Sequence, residues 1–402
     1  MKRLFLLFVF LLPLAASCTK NVVLESNPEL EIGFGTYQGR STKADPDGFA
    51  DTARLPEGSS FGVFAFFHPG TTLNPGSWHT VGQQNHPNLM LNQRVDVSRD
   101  ASDNDVFTYT PAKYWPSEGT RISFYAYYPF VSDGYYYASG VVPGSTARYM
   151  LGTYMNKDTN GQGSFGFDVA YEAKDQIDLM VSDLCADQNK KEGRLTSTDA
   201  SGTVRFDFHH VLSQVRINTL NVENNNPAVT ITPREIRFDG IAVGGELHVA
   251  EDWSTYNAST GKVTNTFTWT DQRTDRIGNQ IRGVHVDYTG AKRPGESDEE
   301  YAVRQKQNYL MMVPQTFSEE AMITVIYDVV RSDTGSGEHY SYTGNEVSAK
   351  LNTAKIAGSS TVLSGWAPNK IYNYTVTIGL NGIQLSASYV DWTEAGGDYD
   401  LE

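Results

Sequence analysis

Apolar side chains recur at every second position along much of this chain, and no convincing long helix interrupts the pattern. A period of two sends successive side chains to opposite faces of an extended strand, which ties each such run to a sheet. Leu30, Ile32, Phe34 and Thr36 share one face of a short strand, with Glu31, Gly33 and Gly35 between them. Phe61, Val63, Ala65 and Phe67 form a second face; Phe64 and Phe66 opposite them predict a strand covered on both sides. Further strands are expected at 107–110, 122–128, 177–181, 236–238, 309–313, 323–327 and 372–378. Val204, Phe206 and Phe208 alternate, the pattern breaks at His209-His210, and it resumes with Val215 and Ile217. The series closes with Ile383, Leu385, Ala387 and Tyr389. Turn-rich pieces such as Asn74-Pro75-Gly76 and Ser132-Asp133-Gly134 separate the runs. Short strands with irregular turns predict an all-β chain of two β-sandwiches in tandem.

The amino terminus reads differently. Lys2 and Arg3 precede an apolar run from Leu4 to Ala16, too short for a stable bilayer span. The run ends Leu14-Ala15-Ala16-Ser17-Cys18, small residues ahead of a cysteine, as a lipoprotein signal peptidase requires. Residues 1–17 are therefore expected to be a signal peptide and Cys18 the lipidated residue, with a plain secretory signal as the alternative. Acyl chains would then be the membrane anchor. With Cys18 modified, Cys185 is left as a small buried hydrophobe in the apolar run around Leu179–Leu184. The polar stretch 186–202, with Leu195 alone in it, is the best linker candidate. It separates an amino-terminal sandwich at 55–195 from a carboxy-terminal one at 203–402, and residues 18–54 form a leading segment.

Composition excludes several functions. Lys and Arg number 32 against 47 Asp and Glu, a formal charge of −15, and nucleic acid needs the opposite balance. Two cysteines build neither a disulfide framework nor a thiolate metal site. None of the eight histidines has the spacing that presents two metal ligands on one helix face, and His209-His210 are expected to be structural hydrogen-bonders. Asn156-Lys-Asp-Thr-Asn-Gly161 imitates the start of a calcium loop, but its twelfth position is Phe167 where a bidentate Glu is needed. Asp100, Asp103 and Asp105 read as a solvated loop. No nucleophile elbow or phosphate-binding loop is present. Catalytic residues, cofactor and metal are all expected to be none; a hydrolase with two facing carboxylates would be visible only in three dimensions. Tyr135-Tyr136-Tyr137, in a loop rich in Gly and Ser, is the one aromatic cluster that suggests glycan contact.

Several segments in order also resemble a known family. They are Ile32-Gly-Phe34, Arg40-Ser-Thr-Lys-Ala44, Phe61-Gly-Val-Phe-Ala65, Lys113-Tyr-Trp-Pro116, Ile122–Tyr127 and Asp178-Leu-Met-Val181. They continue with Val204–Ser213, Met312-Val-Pro-Gln315, Trp366–Tyr372 and Val390-Asp-Trp392. Together they are similar to the FimA/Mfa-like fimbrillins, lipoprotein pilins of Bacteroidetes type V fimbriae. The resemblance implies two tandem transthyretin-like β-sandwiches and a precursor that reaches the outer membrane as a lipoprotein. It further implies removal of the lipidated first strand by an arginine-specific protease, and filling of the vacated groove by a strand from another subunit, giving a cell-surface fimbrium. On this reading Leu30, Ile32, Phe34 and Thr36 plug the precursor groove, and Arg40 or Arg54 is cut, with a lean to Arg40. The family commonly shows Thr-Arg-Ala where this chain has Thr42-Lys43-Ala44. Ile383, Leu385, Ala387 and Tyr389 are candidates for the donated strand, or else form an ordinary intrachain edge strand. Asp51-Thr52-Ala53 resembles a three-residue O-glycosylation acceptor with Thr52 as attachment point. Implied partners are other fimbrial subunits and, before cleavage, the outer membrane through the lipid anchor. The alternative is a surface glycan-binding lipoprotein or tip adhesin that recognises host or bacterial surface glycans or proteins.

Overall fold

The computed structural model describes residues 30–36, 55–69, 89–116, 120–130, 163–169, 176–190, 193, 195, 202–223, 226–273, 275–277, 280–282, 284–286, 297, 309–332, 337–379 and 382–392. Strands dominate, and there is no α-helix among the described residues. The first run comprises β1 (Gly33–Thr36), β2 (Ser60–Pro69), β3 (Met90–Arg99), β4 (Asp105–Thr108), β5 (Thr120–Tyr128), β6 (Gly163–Asp168), β7 (Met180–Ser182) and β8 (Leu184–Gln188). There follow β9 (Thr203–Phe206), β10 (Phe208–His210), β11 (Ser213–Glu223), β12 (Val229–Asp239), β13 (Gly244–Asp252), β14 (Lys262–Arg273), β15 (Asp275–Ile277), β16 (Gln280–Arg282) and β17 (Val284–Val286). The last are β18 (Tyr309–Met312), β19 (Gln315–Thr316), β20 (Met322–Ser332), β21 (His339–Lys350), β22 (Lys355–Ile356), β23 (Gly365–Trp366), β24 (Lys370–Gly379) and β25 (Gly382–Asp391).

The largest sheet runs β4-β3-β2-β5-β8-β14-β13-β6, with β7 bridging β5 and β10. Its alternating side chains serve two cores. Phe61, Val63 and Ala65 on β2, with Ile122, Phe124 and Ala126 on β5, enter one. Phe64 and Phe66, with Tyr125 and Tyr127, enter the other, so β2 is covered on both faces as its sequence predicts. The second core continues into the sheets β18-β11-β24-β25-β22 and β17-β12-β20-β21 through Val215, Ile236, Phe238, Val325 and Tyr374.

The polar stretch read as a linker begins as β8. Ala186, Asp187, Gln188 and Asn189 are all buried. Much of their polarity is met inside the fold: the Asp187 amide donates to Ser123 Oγ at 3.0 Å, and Gln188 Nε2 donates to the Ala186 and Thr260 carbonyls at 2.8 Å each. Beyond it, β9 and β10 place Val204, Phe206 and Phe208 in the first core. The turn into β14 closes tightly on this segment. Gly261 has φ +74°, and a Cβ there would sit 2.0 Å from the Ala186 carbonyl oxygen, so only glycine fits.

Strands β3, β13, β14 and β21 lie outside the expected runs, although Val95 and Val97, Leu247 and Val249, and Val263, Phe267 and Trp269 alternate along the first three. In β21 nearly every residue from His339 to Glu346 is exposed, so no apolar alternation marks it. Although the apolar alternation breaks at His209-His210, both residues lie in a strand, β10, paired antiparallel with Val181 and Met180 of β7, and both are buried.

Candidate functional site

β1 occupies a groove in the first core. It pairs in parallel with β9, Gly33 opposite Thr203 through Thr36 opposite Phe206, across a wide gap in sequence. On its other side the Ile32 amide donates to the Lys113 carbonyl at 2.8 Å, and the Trp115 amide donates to the Leu30 carbonyl at 2.8 Å. Strand and groove are thus zipped along both edges. The alternation sends Ile32, Phe34 and Thr36 inward; all three are buried, and Leu30 is partly so. Phe34 stacks on Phe206 with ring centroids 5.7 Å apart and also meets Tyr109 at 5.2 Å and Phe124 at 5.9 Å. Gly33 and Gly35 lie over β9, where an added Cβ would meet Thr203 side-chain atoms at 3.3 and 3.2 Å.

Polar groups fix the register. Tyr109 donates its hydroxyl to the Ile32 carbonyl at 2.8 Å, and Arg205 Nη1 donates to the Thr36 carbonyl at 3.4 Å. Burial pushes the Tyr109 phenol up to about 12, so it stays a protonated donor at any physiological pH. One buried hydroxyl, Thr36 Oγ1, finds no hydrogen-bond partner among the described residues. This is a site built to hold an extended strand by backbone pairing and inward plugs. It brings together Leu30, Ile32, Phe34 and Thr36 as their spacing predicts. Sequence reasoning missed Tyr109, Trp115, Arg205 and β9; nothing in a period-two pattern names a strand's neighbour.

The other candidates disperse. Cys18, Arg40, Thr52, Arg54, Tyr135, Tyr136 and Tyr137 lie outside the described residues, as does the 156–161 turn. Phe167 is a core residue of β6. Asp100 closes the β3–β4 turn, accepting from the Ser102 and Asn104 amides and from the Asn104 side chain, and these bonds hold its carboxyl below the usual range. Asp105 pairs with Arg99 at 2.7 Å. No group of three or more His, Cys, Asp and Glu among the described residues could hold a metal ion. Cys185 is a buried thiol in β8.

The last strand, β25, pairs antiparallel with β24 along its whole length, from Lys370 opposite Asp391 to Gly379 opposite Gly382. Leu385 and Ala387 are buried, Ile383 is partly buried, and Tyr389 is exposed. Just past it, the Trp392 ring lies flat on His210 with centroids 4.1 Å apart, while His210 Nδ1 meets Asp178 at 2.6 Å. His209 Nε2 lies 2.9 Å from Asp183, which also sits 3.5 Å from Lys262 Nζ. Burial alone would lower Lys262, but Asp207 and Asp183 together raise it above its ordinary value. Both histidines therefore anchor carboxylates inside the fold.

Residues 49–392 match a family model described as fimbrillin-like. A curated relative, fimbrium subunit Fim1C of Phocaeicola vulgatus, is 27% identical over 204 residues, which is 50% of this chain and 46% of the relative, so the match spans under half the relative's length. Among solved structures, a fimbrial protein from Bacteroides vulgatus aligns at 21% identity and TM-score 0.48, covering 90% of this chain and 100% of that one. The fimbrilin of Porphyromonas gingivalis aligns at 9% identity and TM-score 0.36, covering 90% and 97%. The tip fimbrial protein Mfa3 of the same organism aligns at 12% identity and TM-score 0.33, covering 84% and 95%.

Proposed function

This chain belongs to the fimbrillin-like family, and we propose from that premise that it is a structural subunit of a cell-surface fimbria, as stalk, tip or anchor, assembled by strand exchange. The observation that carries the reading is the seating of β1: a strand buried in the first core and joined to β2 by a segment that contains both Arg40 and Arg54. Once either arginine is cut, release of β1 leaves the rest of the chain with an open groove. That groove would expose the apolar floor of Phe124, Phe206 and Trp115 and the unpaired edge of β9, a state that another strand stabilises by restoring ladder and plugs. A contact between a groove on one subunit and a strand on the next is heterologous, so it propagates as a filament.

The remaining parts of the proposal follow the same logic. Lipidation at Cys18 delivers the precursor to the outer membrane, and cleavage frees it from that anchor. The chain is organised as two transthyretin-like units in tandem and performs no catalysis, as befits a structural family. If β25 is the donated strand, it must first leave β24, giving up the whole hairpin ladder; Ile383, Leu385 and Ala387 would then be the inserted plugs and Tyr389 a rim residue.

The test is to treat the purified precursor with an arginine-specific protease and follow assembly by gel ladders and electron microscopy. Polymers that appear after cleavage, and fail to appear when Arg40 and Arg54 are both replaced by Gln, are the expected result. A chain cleaved cleanly at either site that remains monomeric in the presence of added partner subunits overturns the proposal.

A further inference from the structure

β1 turns two unlike faces to its surroundings. Ile32, Phe34 and Thr36 are buried on the core side, while Gly33 and Gly35 lie on the opposite face and carry no side chain. That opposite face is covered all the same, because Gly35 is itself buried. β9 is turned the same way. Val204 and Phe206 enter the first core, which leaves Thr203 and Arg205 beside the two glycines.

The fit on this outward face is close. A Cβ added at Gly33 would stand 3.3 Å from Thr203 Oγ1. One added at Gly35 would stand 3.2 Å from Thr203 Cγ2 and 3.4 Å from Arg205 Cγ. Carbon atoms in comfortable contact are about 3.5–4.0 Å apart. Both branches of Thr203 are engaged, and a β-branched side chain has few χ1 wells to retreat into. The Arg205 stem lies beside Gly35 while its Nη1 donates to the Thr36 carbonyl at 3.4 Å, so a side chain at position 35 would compete with the stem for the same space. Backbone conformation does not explain these glycines, since neither has a positive φ. Glycine is also among the poorest strand formers, and in a strand it often marks close approach by a neighbour.

We propose that Thr203 and Arg205 select the strand that fills the groove. They admit a segment whose plug at the Phe34 position is flanked by two residues no larger than serine, and they turn away branched or long side chains there. The inference rests on β1 being exchangeable, as proposed above, and it states what an incoming strand must carry. Its pattern is apolar, small, aromatic, small, with the aromatic ring received by Phe206, Tyr109 and Phe124. Selection of this kind works by excluding wrong strands as much as by holding the right one. Strand propensity alone ranks valine ahead of glycine, so the sign of the effect is diagnostic.

Two measurements test this. In the uncut full chain, Gly35→Val should speed hydrogen exchange at the Trp115 amide by about tenfold or more, and Gly35→Ser by less than about threefold. Thr203→Ala, which removes both branches, should restore most of the protection lost in Gly35→Val. In the second measurement, the chain cut at Arg40 or Arg54 is refolded from urea with excess labelled peptide spanning residues 28–38. Fluorescence polarisation should show uptake of the native sequence, about tenfold less of the peptide with Gly33→Val and Gly35→Val, and recovery in the Thr203→Ala chain. Native uptake by the Thr203→Ala chain establishes that its groove is intact, and the peptide series decides the matter even if Gly35→Val does not fold. Valine peptides that enter as well as the native one, or discrimination unchanged by Thr203→Ala, overturn the selection and leave strand exchange standing. A native peptide that never enters overturns strand exchange itself, and the selection with it.

Discussion

Truncating Phe34 to alanine tests whether β1 is held as a plug. The side chain is 6% exposed and lies among Phe206, Tyr109 and Phe124, so its removal takes away apolar burial and leaves a cavity lined by rings. Such truncations cost about 3–5 kcal/mol in well-packed cores. The lower part of that range is expected here, because a short strand zipped along two edges can settle inward and partly close the void. Ile32 is the other fully inward apolar plug, and burial of each contributes about 1.5–3 kcal/mol. Loss of Phe34 therefore removes roughly half of the side-chain stabilisation of the strand. The readout is hydrogen exchange at the Trp115 amide, which donates to the Leu30 carbonyl, and at the amides of β9. A loss of about 3 kcal/mol speeds exchange through local opening by roughly two powers of ten. Phe34→Leu, which restores most of the volume, should recover all but about 1.5 kcal/mol. If Phe34→Ala changes protection at these amides by less than tenfold, while distant amides in β24 are equally unaffected, β1 is not held by its plugs and the argument for an exchangeable strand loses its physical basis.

Tyr109→Phe should weaken β1 by leaving the Ile32 carbonyl without its side-chain donor, a cost of about 1–3 kcal/mol. Because the folded phenol is raised to about 12 from an ordinary value near 10, its contribution is complete below pH 10 and is lost as pH rises from 10 to 12. The difference between the two proteins in denaturant titrations should shrink over that window; a constant difference up to pH 12 would contradict the assignment. Trp392→Ala removes the ring that covers His210 and should cost about 3–5 kcal/mol. Amide exchange in the β24–β25 hairpin should then quicken first at its Lys370–Asp391 end and last at Gly379–Gly382, and uniform quickening would show that Trp392 is not a local clasp.

Much of the fold was legible because burial on one side of a strand writes itself as alternation. β2, β5, β24 and β25 stand where the alternation puts them, and the inward set Ile32, Phe34 and Thr36 is the set that spacing picks out. The signal fails where its cause is absent. From His339 to Gly344 β21 is solvated on both faces, so nothing periodic marks that stretch, although it carries the exposed Tyr340 and Tyr342. It fails in the opposite way at Gln188 and Asn189, whose polar side chains are buried but bonded to backbone carbonyls; composition alone cannot tell water from a carbonyl as the partner.

By itself, then, the sequence determined which residues face inward, that the chain is all β, and which family it resembles; these are local or cumulative properties of side-chain order. Only the tertiary structure decided that β1 lies between β9 and the Lys113–Trp115 segment, that β25 is folded back on β24, and that His210 is roofed by Trp392. The reason is the same in each case. Alternation specifies the face a residue shows but carries no address for the strand beside it, and pairing partners far apart in sequence are chosen by how whole sheets close over shared cores.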